Sequence, residues 1–352
     1  MKKTLAAVAI LGAFAASASA DVTVYGKVDL GLMYTNVDGA EKIAMESGAG
    51  GNTSRIGFKG SEKIGDMTVG FCYETGLSAD DGTASKTFNN RDSHVFVKGA
   101  YGELGLGYYG VLDASTGPYS ITGNASAAGT GWGGDILDQG WVIKTKGRMT
   151  NAVTYVSPAF AGAKVYAQVA SGSDKTSGEY TDDADFYYGV GVDYKAGGFG
   201  AFVTVSSTEY GKNGKDADGV ALETNGLEDL NVVAGVNYDF GVVKAYLGAN
   251  YYESGVKGED QYGVVASVKG ALAGGTAYAS AGYGEITKNA TSVGEEKRFY
   301  VGAGYQYPLS KATFLYGAVN YRQADATDVV TKGEAGAKTN TSEVAFGIVH
   351  NF

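Results

Sequence analysis

The segment VAFGIVHNF, from Val344 to Phe352, decides the fold of this chain. Every second side chain of the segment is large, and the last of them is aromatic. Successive side chains of a β-strand point to opposite faces of the sheet, so one face of this strand is bulky along its whole length. An alternating strand that ends on an aromatic residue is typical of the closing strand of an outer-membrane β-barrel.

The other end of the chain has the pattern of an export signal. Two lysines precede an apolar run from Leu5 to Phe14, and Ala18-Ser19-Ala20 offers small residues for cleavage. A basic flank, a short apolar core and a small-residue site indicate a secretory signal peptide, and the core is too short to cross a membrane as a helix. We therefore expect residues 1–20 to be removed and the mature chain to begin at Asp21.

Composition narrows the class of protein. The formal net charge of -10 and the lack of a basic run argue against a nucleic-acid partner. No long apolar run is present, which excludes a helical membrane protein. With 56 glycines, 26 tyrosines and only 3 prolines, the chain favours many strands joined by glycine turns. A single cysteine, Cys72, excludes an intrachain disulfide framework.

Period-two alternation recurs along the whole mature chain. We place sixteen strands by this test; in the first, Val24, Val28 and Leu30 share one face and Lys27 and Asp29 the other. Tight turns alternate with long polar loops, as in transmembrane barrels. The sequence therefore predicts an all-β protein, one antiparallel 16-stranded transmembrane barrel over residues 21–352. A barrel of this size has a lumen too wide for side chains to fill, which leaves an aqueous channel.

The same alternation assigns some charged side chains to the interior. Arg55, Arg148, Lys27 and Lys59 lie opposite the apolar face of their strands, so we expect them to point into the lumen. Arg91 fails this test because it shares its face with Val95 and Val97; a bulge or a loop position would be needed to turn it inward.

Five stretches in order along the mature chain carry a family resemblance: DVTVYG (21–26), SRIGFKGSE (54–62), VFVKGAYGELGLG (95–107), NAVTYVSP (151–158) and GIVHNF (347–352). No single stretch is specific for a family, but the order and spacing of the five stretches along the mature chain are. They resemble the trimeric general porins of Gram-negative outer membranes, of the β-proteobacterial and neisserial type. The resemblance implies a long third loop that folds into the lumen, here residues 110–147, and faces a basic wall to form a constriction.

The family pattern also implies which residues form that constriction. The matching basic positions are Arg55, Arg91 and Arg148, with Lys59 and Lys27 beside them. The acidic positions on the loop are Asp113, Asp135 and Asp138. One departure stands out: where the family commonly continues Leu-Gly with Arg, this chain has Tyr108-Tyr109. The missing arginine could widen the pore or weaken a preference for anions.

A porin of this type would reside in the outer membrane and let ions and small hydrophilic solutes diffuse through a water-filled channel. The resemblance implies a homotrimer in contact with membrane lipid and lipopolysaccharide, and recognition by the barrel assembly machinery through the strand that ends at Phe352. No cofactor and no metal are implied. Whether such a pore prefers anions or cations is left open.

The sequence bears on two other classes of function, an enzyme and a non-conducting barrel. An enzyme is disfavoured because His94, His350 and Cys72 are too few to assemble a His-based triad or a metal cluster. The segment from Gly105 to Gly110 matches the dinucleotide fingerprint, but no βαβ unit follows it. A non-conducting adhesin or structural barrel is the alternative that remains. A soluble β-sandwich is disfavoured by the terminal aromatic residue and the alternation of every strand.

Overall fold

The structure, a computed structural model, describes residues 22–51, 53–83, 90–129, 137, 139–172, 184–211, 227–255, 259–288, 295–325 and 338–352. The expected signal peptide, residues 1–20, lies outside this set. Two short helical turns occur among the described residues, a 3-10 turn at Thr122–Ala125 and α1 at Gln139–Val142. No helix in the described ranges is long and apolar enough to cross a membrane.

Strands make up almost all of the remaining described structure. In chain order they are β1 (Thr23–Val37), β2 (Ala40–Ser47), β3 (Arg55–Ile64), β4 (Met67–Gly76), β5 (Ser93–Gly99), β6 (Gly102–Gly110), β7 (Arg148–Val156), β8 (Ala163–Ser171), β9 (Phe186–Ala196), β10 (Phe199–Glu209), β11 (Glu228–Asp239), β12 (Val243–Ser254), β13 (Glu259–Leu272), β14 (Gly275–Lys288), β15 (Glu295–Pro308), β16 (Thr313–Asp325) and β17 (Lys338–Asn351).

The described strands close into an antiparallel barrel. From β3 to β17 each strand pairs with the next, and β17 pairs with β1 from Lys27↔Asn351 to Val37↔Thr341. On its other side β1 pairs with both β3, over residues 23–27, and β2, over residues 30–37. β2 and β3 therefore occupy one position in the ring. The described seventeen segments form sixteen barrel strands, which confirms the predicted fold class.

The alternation that predicted the strands appears as alternating exposure. In β9 every second side chain is exposed, namely Phe186, Tyr188, Val190, Val192 and Tyr194. The intervening residues are Tyr187, Gly189, Gly191 and Asp193, and they are buried on the inward side. Apolar side chains turned outward and polar or small ones turned inward are what a barrel in a bilayer requires.

The hairpin of β1 and β2 was not predicted. Its turn at Asp38 and Gly39 takes positive φ angles of 49° and 90°, as tight hairpin turns require. Along β2 most residues are exposed, and charged and apolar side chains occur on both faces. Alternation is visible where apolar side chains occupy one face and polar ones the other; β2 carries charged side chains on both faces, so its period-two signal is weak.

Connections differ in length at the two ends of the barrel. At the short-turn end the strands are joined by tight turns, such as Gly65 to Asp66 and Gly197 to Gly198. At the long-loop end one connection, which we call the long loop (residues 111–147), is far longer than those turns. Residues Thr122–Ala125 contact β10, β11 and β12, and α1 contacts β13, β14 and β15. The long loop therefore packs against the inward faces of strands distant in sequence.

Candidate functional site

Three arginines gather at one level of the barrel wall. Arg55 begins β3, Arg148 begins β7, and Arg91 precedes β5 by two residues. These three strands run in the same direction in the antiparallel barrel, so their first residues meet near the same height. Arg91 lies outside its strand, so strand alternation does not govern the direction of its side chain.

The Glu74 carboxylate, near the end of β4, joins two of these arginines. Its Oε1 accepts hydrogen bonds from Nε of Arg91 and from Nη1 of Arg55, the latter at 3.4 Å. Its Oε2 accepts a hydrogen bond from the Tyr25 hydroxyl at 3.1 Å. A buried carboxylate that holds two guanidinium groups fixes both in place through charge-assisted hydrogen bonds.

The third arginine has its own acidic partner. Nε of Arg148 donates to Oδ1 of Asp92 at 2.7 Å, and its Nη2 donates to the hydroxyl of Thr116 at 3.2 Å. Thr116 belongs to the long loop, so this contact ties the loop to the arginine wall. Both members of the ion pair keep 17% of their side-chain surface exposed, so the pair is only partly buried.

The wall keeps a positive balance after pairing. Three guanidinium groups and the two carboxylates of Glu74 and Asp92 leave a net charge of about +1. Lys27 lies opposite Arg55 in the pairing of β1 with β3 and adds one more positive charge. Lys59 is four residues further along β3, about 13 Å toward the short-turn end, and its ammonium lies 5.0 Å from the Tyr25 ring centroid. Neither Glu74 nor Asp92 is among the predicted site residues; Glu74 lies on the face of β4 opposite Val69, Phe71 and Tyr73, so strand alternation could have identified it as inward-facing.

The side chain of Asp113 does not face the lumen, as its predicted role in the constriction would require. Its side chain is 0% exposed. Oδ1 accepts from the Tyr187 hydroxyl at 2.9 Å, and Oδ2 accepts from the Ser206 hydroxyl at 2.8 Å and from Nδ2 of Asn231 at 2.6 Å. The donors come from β9, β10 and β11. A fully buried carboxylate with these partners anchors the long loop to the wall and does not meet a solute. Asp135 and Asp138 lie outside the described residues.

The returning end of the long loop has a second anchor. The Lys146 ammonium donates to Oδ2 of Asp229 at 3.1 Å, and the same oxygen accepts from the hydroxyls of Tyr252, at 2.6 Å, and Tyr210. Burial and the hydrogen bond to Asp229 raise the pKa of the Tyr210 hydroxyl well above its usual range. Tyr210 therefore remains a protonated donor at neutral pH, and the anchor persists.

The departure at Tyr108-Tyr109 contributes to the base of the long loop. Tyr109 is fully buried, and its hydroxyl donates to the Gly105 carbonyl at 3.0 Å. Its ring packs edge-on against Tyr119 of the loop, with 5.1 Å between ring centroids. Burial, and then the charge of Glu103, raises the pKa of the Tyr119 hydroxyl, which donates to that carboxylate at 3.0 Å. Tyr109, the second tyrosine of this pair, thus fills space under the long loop.

Trp141 of α1 contacts two further arginines that were not predicted as site residues. Arg298 and Arg322 each place the guanidinium carbon 5.1 Å from the Trp141 ring centroid. Each guanidinium is also paired with a carboxylate, that of Glu296 at 2.6 Å and that of Glu343 at 2.8 Å. Strand alternation assigns both arginines to the inward face, so this signal could have found them. What it could not show is that the long loop places an indole between them.

The 3-10 turn of the long loop fits against a glycine on the wall. A Cβ added to Gly248 would fall 2.6 Å from Cβ of Ala125 and 2.8 Å from its carbonyl oxygen. Real Cβ atoms do not approach so closely, so a side chain at this position would displace the loop.

We predict that Gly248→Val shifts the long loop and changes the single-channel conductance, because the added methyl groups overlap Ala125. The overlap should lower the free energy of unfolding by about 1–3 kcal/mol. Gly317 offers a matched control, since its nearest atom in the same test is the Ala345 carbonyl oxygen at 4.0 Å. A Gly317→Val variant should conduct like the unaltered chain. Equal conductance in both variants would contradict the assigned packing of the loop.

These features define a class of protein. A closed barrel with an apolar outer face, a charged inner face and a long loop held against its wall is a transmembrane β-barrel of the outer-membrane kind. A sequence model of the Gram-negative porin family matches residues 5–327. The chain belongs to the Gram-negative porin family and is located in the outer membrane, as predicted.

Individual relatives agree with the predicted subgroup. Outer membrane porin protein 32 of Delftia acidovorans is 31% identical over 232 residues, which are 63% of this chain and 65% of the relative. Major outer membrane protein P.IB of Neisseria meningitidis serogroup B is 30% identical over 204 residues, or 56% of this chain and 57% of the relative. The chain thus matches less than two thirds of the length of these curated relatives.

Solved structures extend the comparison to the whole fold. The anion-selective porin from Comamonas acidovorans superposes with a TM-score of 0.71, covering 95% of this chain and 100% of that one at 23% sequence identity. At this level of identity the likeness establishes the fold alone. It confirms the sixteen-stranded barrel inferred from alternation.

Proposed function

We propose that this chain forms a water-filled channel through which ions and small hydrophilic solutes diffuse passively across the outer membrane. The observation that carries the proposal is the inward face of the closed barrel, which bears charged groups such as Arg55, Arg148 and Asp92 at partly exposed positions. Ionised side chains at membrane depth are stable where they line water, and they mark pathways for ions and solutes.

A pore of this kind removes a large barrier. A hydrophilic solute that enters hydrocarbon loses hydrogen bonds to water, and each unsatisfied polar group costs several kcal/mol. Lumen water and charged walls replace those bonds during passage. Diffusion down a gradient needs no chemical step, so we propose that the protein is not an enzyme and uses no cofactor.

We further propose that residues 110–147 form the constriction and that Arg55, Arg91 and Arg148, with Lys27 and Lys59, form its basic wall. The contact between Thr116 and Arg148 supports this arrangement, since it brings the long loop to the arginines. The charge at the narrowest section dominates selectivity. A wall with a net positive charge therefore favours weak anion preference despite the acidic chain as a whole.

Planar-bilayer recording of the purified mature protein tests the proposal. We expect stepwise currents. Under a salt gradient, the sign of the reversal potential should show that anions pass more readily than cations. No current from correctly folded protein would contradict the channel and favour the adhesin or structural alternative. A reversal potential of the opposite sign would leave the channel standing and remove the arginines from control of selectivity.

The partners of the pore are part of the same proposal. Family membership supports a homotrimer in contact with membrane lipid and lipopolysaccharide. Currents that close in three equal steps would support three pores per complex. Export with removal of residues 1–20 and recognition of the last strand by the barrel assembly machinery complete the proposal, and N-terminal sequencing of the mature protein should begin at Asp21.

Phe352 has a defined place in barrel closure. Its backbone exchanges two hydrogen bonds with Gly26, from Gly26 N to Phe352 O at 2.9 Å and from Phe352 N to Gly26 O at 3.1 Å. Its ring lies over Gly26, where a Cβ would collide with it. The last residue of the barrel thus packs directly on the first strand.

We predict that Phe352→Ala lowers the amount of folded barrel recovered from outer membranes several-fold, because both the ring contact at the closing seam and the proposed recognition feature are lost. Phe346→Ala is the matched control, since Phe346 is an exposed aromatic residue of β17, the strand that leads to Phe352. Heat-resistant folded protein on gels provides the readout. Equal recovery of the two variants would contradict a particular role of Phe352 in barrel closure or recognition.

A further inference from the structure

A cavity of about 320 Å³ lies between the returning end of the long loop and the wall of β12 to β15. Its volume is at the small end of the range for sites that hold small molecules. The lining includes Lys144 and Thr145 from the loop, Tyr252 and Gln261 from β12 and β13, and the charged residues Glu259 and Arg298. Tyr252 lies near the end of β12 and Glu259 begins β13, so the cavity lies near the long-loop end of the barrel.

Opposite charges line this cavity. Lys144 and Arg298 supply two positive groups, and Glu259 supplies a negative one. Glu296, bonded to Nε of Arg298 at 2.6 Å, brings the formal sum of these four groups to zero. A pocket with zero net charge but separate positive and negative groups favours a solute that carries both charges. Each charge of such a solute can meet a group of opposite sign, whereas a simple anion or cation is attracted by one part of the lining and repelled by the other.

The lining is held in place before any solute arrives. The Tyr252 hydroxyl donates to Asp229 at 2.6 Å, and Nε2 of Gln261 donates to the Val142 carbonyl at 3.3 Å. Arg298 stacks on Trp141 at 5.1 Å, and the Lys144 ammonium lies 5.1 Å from the Tyr252 ring centroid. Fixed side chains lose little conformational entropy on binding, so even a small pocket can retain a solute.

We propose that this pocket binds a small zwitterion of the α-amino acid class on its way to the constriction. The solute carboxylate lies toward Lys144 and Arg298, and its ammonium group lies toward Glu259. The inference rests on the proposed channel function and adds a class of preferred solute to it. It places the binding contacts away from the wall of Arg55, Arg91 and Arg148, on the opposite limb of the long loop.

Block of the ion current by glycine tests this proposal in the full-length mature protein. At neutral pH and constant ionic strength, we expect glycine to reduce the current at a lower concentration than acetate or methylammonium, which each carry only one of the two charges. Lys144→Gln and Glu259→Gln should each raise the half-blocking glycine concentration roughly three- to fivefold.

Lys244 provides a matched control on the same strand as Tyr252. The Lys244 ammonium lies 5.2 Å from the Tyr246 ring centroid, much as the Lys144 ammonium lies over the Tyr252 ring. Tyr246 and Tyr252 are six residues, or about 20 Å, apart along β12. Lys244→Gln should leave the half-blocking concentration of glycine unchanged. Glycine no more effective than acetate, or an equal effect of Lys144→Gln and Lys244→Gln, would overturn the zwitterion site. Because block is scored only on open channels, failure of the site is distinct from failure of the channel, which would give no current at all.

Discussion

Replacing Asp113 with alanine should enlarge the open-channel current and make it noisier. The carboxylate accepts three buried hydrogen bonds, from Tyr187, Ser206 and Asn231, and these link the first limb of the long loop to three adjacent strands. Removing the carboxylate leaves these buried neutral donors without an acceptor, and each group left unsatisfied costs about 1–3 kcal/mol. We expect most of this loss to fall on the attachment of the loop, since the barrel ladder itself is unaffected.

The size of the effect depends on the remaining anchors. Lys146 still bonds Asp229, and the Ala127 amide still donates to the Ser267 hydroxyl at 2.8 Å. The loop should therefore fluctuate about its first limb and not leave the lumen, which predicts current noise together with a larger mean. Asp113→Asn retains some hydrogen bonding and should be intermediate.

Asp81→Ala is the control for Asp113→Ala. It removes the same charge from an exposed loop aspartate whose carboxylate accepts hydrogen bonds only from neighbouring Thr83 among the described contacts. Single-channel recordings of this variant should match those of the unaltered protein. Identical recordings from Asp113→Ala and Asp81→Ala would show that Asp113 does not hold the loop.

Replacing Arg148 with alanine should move ion selectivity toward cations. Of the five paired groups on the arginine wall, three are positive and two negative, so the variant takes their net charge from about +1 to 0. It also leaves the Asp92 carboxylate without its 2.7 Å partner in a largely buried position. Arg55→Ala should act in the same direction but less strongly, because Glu74 keeps its bond to Arg91.

A double substitution separates charge from structure. Asp92→Ala alone should increase anion preference, since the net charge of the paired groups rises from about +1 to about +2. Asp92→Ala combined with Arg148→Ala restores the original sum and should return the reversal potential close to its original value. The shifts should shrink as salt rises, because charges are screened over about 8 Å at physiological ionic strength and about 3 Å at 1 M. Unchanged reversal potentials in both Arg55→Ala and Arg148→Ala would remove these residues from the constriction.

Local sequence pattern was sufficient for the barrel. Each strand in the bilayer has one face toward lipid and one toward water, so its alternation is visible in a few consecutive residues, as in β9. The segment β2 was missed because it carries charged side chains on both faces, which weakens its alternation. Alternation also fails for Arg91, which precedes β5 and is oriented by its bond to Glu74 and not by the pleat of a strand.

The site depended on contacts that no local pattern records. Asp113 was correctly placed on the long loop, but whether its carboxylate faces water or protein depends on residues 74 to 118 positions away in the chain. Trp141 between Arg298 and Arg322, and Lys144 over Tyr252, join residues that are likewise far apart in sequence.

The sequence by itself determined the number of barrel strands, the inward face of each, and the family. Only the tertiary structure decided which loop charges are buried, which arginines share a carboxylate, and where a cavity remains. The physical reason is that alternation reflects two solvents acting on neighbouring residues, whereas the docking of a loop is decided by hydrogen bonds and ion pairs between distant strands.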